Sequence, residues 1–437
     1  MDNNRYRSKR ERTKEEQVLI IGIAKILIVI GILIILVFLY NRFWVVHQVG
    51  SSSSTGDMAP TGQFGDFIGG FVGTIFNLVG AILLFYTLRE QRDNFTHEKI
   101  EERFYEMIRI HRENVDQVEF SYYDHVSANV KETAKGRKVF KIVFNQFKEL
   151  WYETEHLFDK RADEIYLPDY LIAVEKNEER EKRSLDPIQM ARLDICYLVI
   201  FFGVGVEDSD TVLDVVNDKY RRDFVFTILQ FIRLKPARMP NNSWENWWNI
   251  NLLKEKKEIF DAILEARKDT DHIDEILSGY IIGDSENGDE ISVANLYYND
   301  GYLKYYGGHQ FRLGHYLRHI FQTIRYIDEQ EALSFDEKYS YVKFFRAQMS
   351  NYEQAVYFLN SLSTLGRVSE LEKRQAPYKS IETNKQLITK YCLIKNLPRN
   401  EIVKGVLLTQ YYPDIKYEAI LNQGVNERRA ELRKQYS

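Results

Sequence analysis

The chain has 437 residues, 44% of them hydrophobic and 28% charged, with a formal net charge of -5. A mildly acidic balance excludes a general electrostatic attraction to nucleic acid, which favours a clustered basic face, and the length leaves room for an ordinary soluble domain beyond any membrane part. The two cysteines, Cys196 and Cys392, stand in no ligand or redox motif and suit buried thiols of a reducing cytoplasm, while 8 prolines and 23 glycines point to a mainly helical protein.

Residues 1–17 are expected to form a basic cytoplasmic N-terminus. Arg5, Arg7, Lys9, Arg10, Arg12 and Lys14 make a flank of the kind retained on the inner side of a membrane. Residues 18–41 follow as transmembrane helix 1. Val18 to Tyr40 carries one charge, Lys25, and covers ~35 Å at ~1.5 Å per residue, enough for a hydrocarbon core of ~30 Å. Lys25 must snorkel unless the span is shifted toward Val46. A cleaved signal peptide is the competing reading; the length of the run and the sequence Asn41-Arg-Phe-Trp, which is no small-residue cleavage site, argue against it. Residues 42–63, with Gly50-Ser-Ser-Ser-Ser-Thr-Gly and Pro60, read as a flexible external loop.

Residues 64–88 are expected to be transmembrane helix 2. At 100° per residue, Gly69, Gly70, Gly73, Thr74, Asn77, Gly80 and Ala81 collect on one side, with Asp66 at the entrance. Phe71, Val72, Ile75, Phe76, Val79, Ile82 and Leu83 fill the other. One face would meet lipid and the other a second helix or water. The spacing Gly69-x-x-x-Gly73 lets two backbones come close, which makes Asp66, Gly69, Gly73, Asn77 and Gly80 a candidate assembly face. Arg89, Arg92, Lys99 and Arg103 then return positive charge, so both termini are expected to be cytoplasmic.

Residues 89–136 read as a juxtamembrane helix and connector, because no Gly or Pro intervenes from Ala81 to Gly136. Phe104, Ile108, His111, Val115 and Val118 recur at a 4-3-4-3 spacing that suits either a short coiled-coil seam or a face packed on the domain. Residues 137–437 are the expected helical cytoplasmic domain. Its helices are expected at Val139–Phe158, Asp186–Phe202, Lys219–Ile232, Leu252–Lys268, Phe311–Ile327, Phe335–Leu362, Thr383–Ile394 and Tyr417–Arg433, with no strand assigned. The expected class is therefore all-α, a two-helix transmembrane hairpin followed by a mainly helical cytoplasmic domain.

Within that domain the enzyme motifs are sparse. There is no Gly-rich phosphate loop, no HExxH and no paired CxxC, and the acidic stretch Gly283–Glu290 lacks the ligand spacing of a calcium loop. The aromatic loop Trp244, Trp247 and Trp248 reads as packed anchors, with a base-stacking platform as the sharper alternative. In Phe311–Ile327, His315 and His319 stand at i,i+4 without a nearby carboxylate or thiol, too little for a metal site. Arg318 lies to one side of that polar face. Arg312 and His319 also meet the loose Arg-to-His spacing of HEPN-type ribonucleases, His for acid/base work and Arg for phosphate charge. In Phe335–Leu362, Gln348 and Asn351 fall inside a broad apolar arc, where amides need partners, while Arg346 and Glu353 belong to a separate polar side.

Three stretches in order resemble the phage abortive infection proteins of the AbiC-like type found in bacteria. They are GDFIGGFVGTIFNLVGAILLFYTLREQRDNF at the second span, GHYLRHIFQTIRYID from Gly314 and FFRAQMSNYEQAVYFLN from Phe344. The resemblance implies anti-phage defence by arrest of the infected cell, and it brings no catalytic residues to carry over. The expectation is a two-pass protein of the bacterial inner membrane whose cytoplasmic domain senses infection and whose helices assemble to impair the membrane. Its partners would be the lipid bilayer, further copies of itself and an unknown phage component or signal, with no cofactor and no metal. The alternatives are a membrane-tethered ribonuclease using Arg312 and His319, which alone would take nucleic acid as a partner, and a non-enzymatic scaffold that recruits a toxin.

Overall fold

A computed structural model describes residues 9–48, 66, 68–123, 131–177, 181, 183–233, 281–282, 291–292, 305–367 and 386–418. The described residues are mainly helical, as the composition leads one to expect. They fall into two compact units, one of residues 1–107 and 326–341, the other of residues 108–325 and 342–437.

The first unit is built on α1 (Lys9–Gln48) and on the N-terminal part of α2 (Gly73–Gln117), which a short π-helical turn at Ile68–Val72 precedes. Both helices contain a segment long and apolar enough to cross a membrane. They run antiparallel. Near one end Ile20 and Ile23 share an open apolar groove of about 370 Å³ with Ala81, Ile82 and Phe85. Further along, a Cβ on Gly31 would stand 3.5 Å from the Phe76 ring and 3.8 Å from Ile75. In the same unit, Phe104 meets the edge of Tyr341 at 4.9 Å and the Arg103 guanidinium lies over the Tyr326 ring at 4.9 Å.

The second unit centres on α5 (Pro187–Phe202). Asp186 caps it by accepting from the amides of Ile188 and Gln189, Pro187 supplies a preset φ, and every residue from Ala191 to Phe202 is buried. With only Arg192 and Asp194 interrupting its apolar residues from Ala191 on, this part of the helix has no broad solvent face and lies in the core. Around it pack α3 (Arg137–Glu153), α6 (Val206–Val215) and α10 (Asn351–Leu362), and α7 (Arg222–Arg233) packs on α6. On α3, Val139, Phe140, Val143, Phe147 and Leu150 recur at helical spacing and are all buried. Asp194 and Arg367, each 1% exposed or less, form the polar knot of this core: Asp194 accepts from Tyr220 and from the amide and hydroxyl of Thr364, and Arg367 lies 3.6 Å away. α4 (Pro168–Glu175) lies at the margin.

The segment that packs against the end of α5 shows why glycine is needed at position 308. Gly308 has φ +79°, and a Cβ on it would fall 2.2 Å from the Phe202 carbonyl oxygen. That approach lets the His309 amide bond the Phe201 carbonyl at 2.8 Å and starts α8 (Gln310–Asp328) against the end of α5.

Several expectations are corrected. Phe335–Leu362 is two helices, α9 (Phe335–Arg346) and α10, because tight i to i−3 bonds at Gln348 and Met349 end the first and Ser350 caps the second. α2 stops at Gln117, and an antiparallel hairpin of β1 (Glu119–Tyr123) and β2 (Lys131–Lys135) follows, tied by Ser121 to Thr133 and Lys135 to Glu119. Strands arise also as the short pairs β3 (Ile281–Ile282) with β4 (Ile291–Ser292) and β5 (Glu401–Val403) with β6 (Val406–Leu407). The helix expected over Thr383–Ile394 narrows to α11 (Leu387–Tyr391). Leu252–Lys268, Trp244, Trp247 and Trp248 lie outside the described residues, as does Tyr417–Arg433 beyond its first two positions.

Candidate functional site

The break between α9 and α10 builds a buried polar cluster in the second unit. Ser350-x-x-Glu353 is a capping box: the Ser350 hydroxyl accepts from the Glu353 amide at 3.3 Å, and the Glu353 carboxylate accepts from the Ser350 amide at 2.7 Å. Glu353 nevertheless has no solvent exposure, because its other oxygen turns inward and accepts from the Tyr316 hydroxyl at 3.0 Å. Arg137, the first residue of α3, sets its Nε 3.5 Å from the same carboxylate. A carboxylate can stay in the core only when such donors surround it.

His111 completes the cluster from α2. It is 1% exposed, its Nε2 stands 3.9 Å from Glu353 Oε1, and neither ring nitrogen makes a hydrogen bond. Its ring lies against Phe345 at 4.8 Å and Tyr316 at 5.4 Å, and runs nearly parallel to His319 at 6.3 Å. Burial, followed by the positive charge of His319, Arg137 and Arg112, pushes its pKa down to about 4. His111 is therefore neutral at physiological pH. Burial and the Glu353 charge push the Tyr316 phenol well above its ordinary range. Closed to solvent, the cluster fixes three helices and orients Arg137 rather than offering an open acid/base pair.

Above it, Gln348 holds two arginines. Its side-chain oxygen accepts from Arg112 at 2.9 Å and its main-chain oxygen accepts from Arg137 at 2.7 Å. The hairpin of β1 and β2 brings these arginines together by returning the chain from the end of α2 to the start of α3, where the Gly136 amide bonds the Val118 carbonyl at 2.8 Å.

The structure thus draws together Gln348 and Glu353, with His319 beside His111. His319 is half-buried and its carbonyl accepts from Thr323. The other sequence candidates stand apart from the cluster. Arg312 bonds the carbonyls of Glu119 at 2.8 Å and Gly308 at 3.2 Å and covers the Phe120 ring, and burial lowers its pKa. Arg346 turns to the carbonyls of Tyr391 and Cys392. His315, Arg318 and Asn351 are exposed. Among the described residues no group of three His, Cys, Asp or Glu is placed to hold a metal. Sequence reasoning missed Arg112, Arg137 and Tyr316 altogether; the Ser350-x-x-Glu353 spacing was the available signal.

In the first unit the apolar side of α2 turns toward α1, burying Val72 and Val79. On the small side Asp66, Gly69, Gly70, Thr74, Asn77 and Gly80 are exposed and Gly73 is half-buried, while Ala81 borders the groove shared with Ile20 and Ile23. A Cβ on Gly69, Gly70 or Gly80 would meet nothing within 4 Å. Thr74 folds its hydroxyl back onto the Gly70 carbonyl.

Fold and site together define a mainly helical protein with two N-terminal helices able to span a membrane and a closed polar cluster in its core. Residues 308–402, which run from Gly308 through the Glu353 cluster to β5, match the family model described as "Putative phage abortive infection protein". No curated protein and no solved structure matches the chain. The family match supports a role in phage defence.

Proposed function

We propose that the protein is a membrane-anchored effector of abortive infection. The hairpin of α1 and α2 crosses the bacterial inner membrane with both chain ends in the cytoplasm, the helical domain senses a phage component or signal, and copies of the hairpin assemble through Asp66, Gly69, Gly73, Asn77 and Gly80 to impair the membrane. The observation that carries this reading is the division of labour on α2: its bulky apolar side faces Gly31 of α1, while its small side is left open. Small residues let helices approach closely in lipid, and an amide such as that of Asn77 is costly there without a partner.

The test is protection of cells carrying Gly69→Leu with Gly80→Leu. Both positions have free space, so the altered chain is expected to insert and accumulate normally. Protection should fall to the level of cells without the protein. Full protection at equal membrane abundance would overturn the assembly step.

A further inference from the structure

We infer that Arg112 and Arg137, held on the two carbonyl oxygens of Gln348 above buried Glu353, form a binding site for the phosphate group of a small phosphorylated molecule. The inference stands apart from the membrane reading, since every residue in it belongs to the second unit.

Four observations converge on it. First, the guanidiniums are fixed and yet reachable. Each gives one N–H to Gln348, Arg112 is exposed and the Arg137 side chain is 58% exposed. A guanidinium carries five N–H donors in a planar fork that matches phosphate oxygens, so most of the donors on both remain available to a ligand.

Second, the charge does not balance. Glu353 is the carboxylate at this place, and it is fully enclosed by Ser350, Tyr316 and Arg137. Arg112 has no carboxylate within ion-pair distance among the described residues; its one bond is to a neutral amide.

Third, the start of α3 is made for an anion and against a helix dipole. This helix of 17 residues has no side-chain cap and no acidic residue in its first turn, and it exposes Arg137, Lys138 and Lys141 there. Helix N-termini carry positive partial charge and ordinarily attract Asp or Glu. Placing cations on that end costs stability unless an anion arrives.

Fourth, His111 lies beneath the pair, 1% exposed, its Nε2 turned to Glu353 and both nitrogens without hydrogen bonds. Next to a carboxylate, an imidazole would ordinarily gain a proton. Burial and the positive field of His319, Arg137 and Arg112 keep it off. A polyanion on the arginines would cancel that field and raise the affinity of His111 for its proton.

A small ligand fits better than a nucleic acid, which needs a basic track; the chain has a formal net charge of -5.

The experiment uses the full chain in detergent, titrated by calorimetry with pyrophosphate and with ATP, and separately with vesicles of phosphatidylcholine with and without phosphatidic acid. Pyrophosphate or ATP should bind, more weakly as salt rises. Arg112→Gln should weaken binding at least ten-fold, Arg112→Lys by less, and the exposed Arg318→Gln not at all. Nuclear magnetic resonance of the His111 ring should show its titration moving to higher pH with ligand, a shift absent in Arg112→Gln. Binding of phosphatidic acid vesicles alone, lost in Arg112→Gln, keeps the site and assigns the phosphate to a lipid headgroup. Wild-type protein that binds no probe, or that binds equally after Arg112→Gln with an unchanged melting temperature, overturns the inference.

Discussion

The Tyr316 hydroxyl donates to Oε1 of Glu353 at 3.0 Å in a place where both side chains are closed to water. The bond joins α8 to the first turn of α10 and gives a buried carboxylate one of its few donors. Removing it with Tyr316→Phe leaves that oxygen with neutral His111 at 3.9 Å, which is too far to replace it. Stability should fall by ~1–3 kcal/mol, the cost of an unmade bond to a buried group. Chemical denaturation checks this; an unchanged midpoint would show that water reaches Glu353.

His111 makes stability depend on pH in a definite direction. Folded, its pKa is about 4, below the ordinary 6.5, so the unfolded chain binds the proton more readily. The contribution of neutral His111 is complete above pH ~6.5 and is lost as pH falls toward ~4, on the order of 3 kcal/mol in all. Because neither nitrogen is hydrogen-bonded, His111→Leu should cost little at neutral pH and should flatten this acid limb. Denaturation midpoints at pH 7 and pH 4.5 measure both effects, and an unaltered acid slope in the variant would contradict the assignment.

Gly308 is a sharper case than its neighbours. Gly308→Ala adds a Cβ 2.2 Å from the Phe202 oxygen at φ +79°, so ~2 kcal/mol or more should be lost. Gly314→Ala, whose Cβ would find the Phe201 ring at 3.8 Å, should be tolerated. Equal melting temperatures for the two variants would mean that the segment before α8 does not dock as seen.

The open side of α2 makes a prediction about contacts between copies. A cysteine at Asn77 should cross-link into dimers under mild oxidation in membranes, whereas one at Leu83, on the apolar side and 40% exposed, should not. Absence of dimers from Asn77→Cys, or equal yield from both, would count against the small side as the meeting face.

Much of the fold was legible because burial follows periodicity. Phe104, Ile108, His111, Val115 and Val118 were readable as one stripe, and all five are buried. The stretch Ala191–Phe202, apolar except for Arg192 and Asp194, belongs to the central helix. Illegible parts had weaker local signals. The α9–α10 break has no Gly or Pro to mark it, and the polar β2 sequence Lys-Glu-Thr-Ala-Lys hides a strand that a hairpin partner stabilises. The cluster itself depends on Gln348 meeting Arg112 and Arg137, 236 and 211 residues away in sequence. Such pairings are set by how helices pack, and no spacing rule in one stretch of chain encodes them.

The central claim is that assembled hairpins damage the membrane of infected cells. Membrane potential, followed with a voltage-sensitive dye through one round of infection, tests it most directly, with total RNA sampled at the same times. Cells carrying the wild-type chain should depolarise before RNA is degraded, and cells carrying Gly69→Leu with Gly80→Leu should hold their potential at equal protein abundance. Protected cells that keep full potential while RNA is lost, or depolarisation unchanged in the variant, would contradict the account.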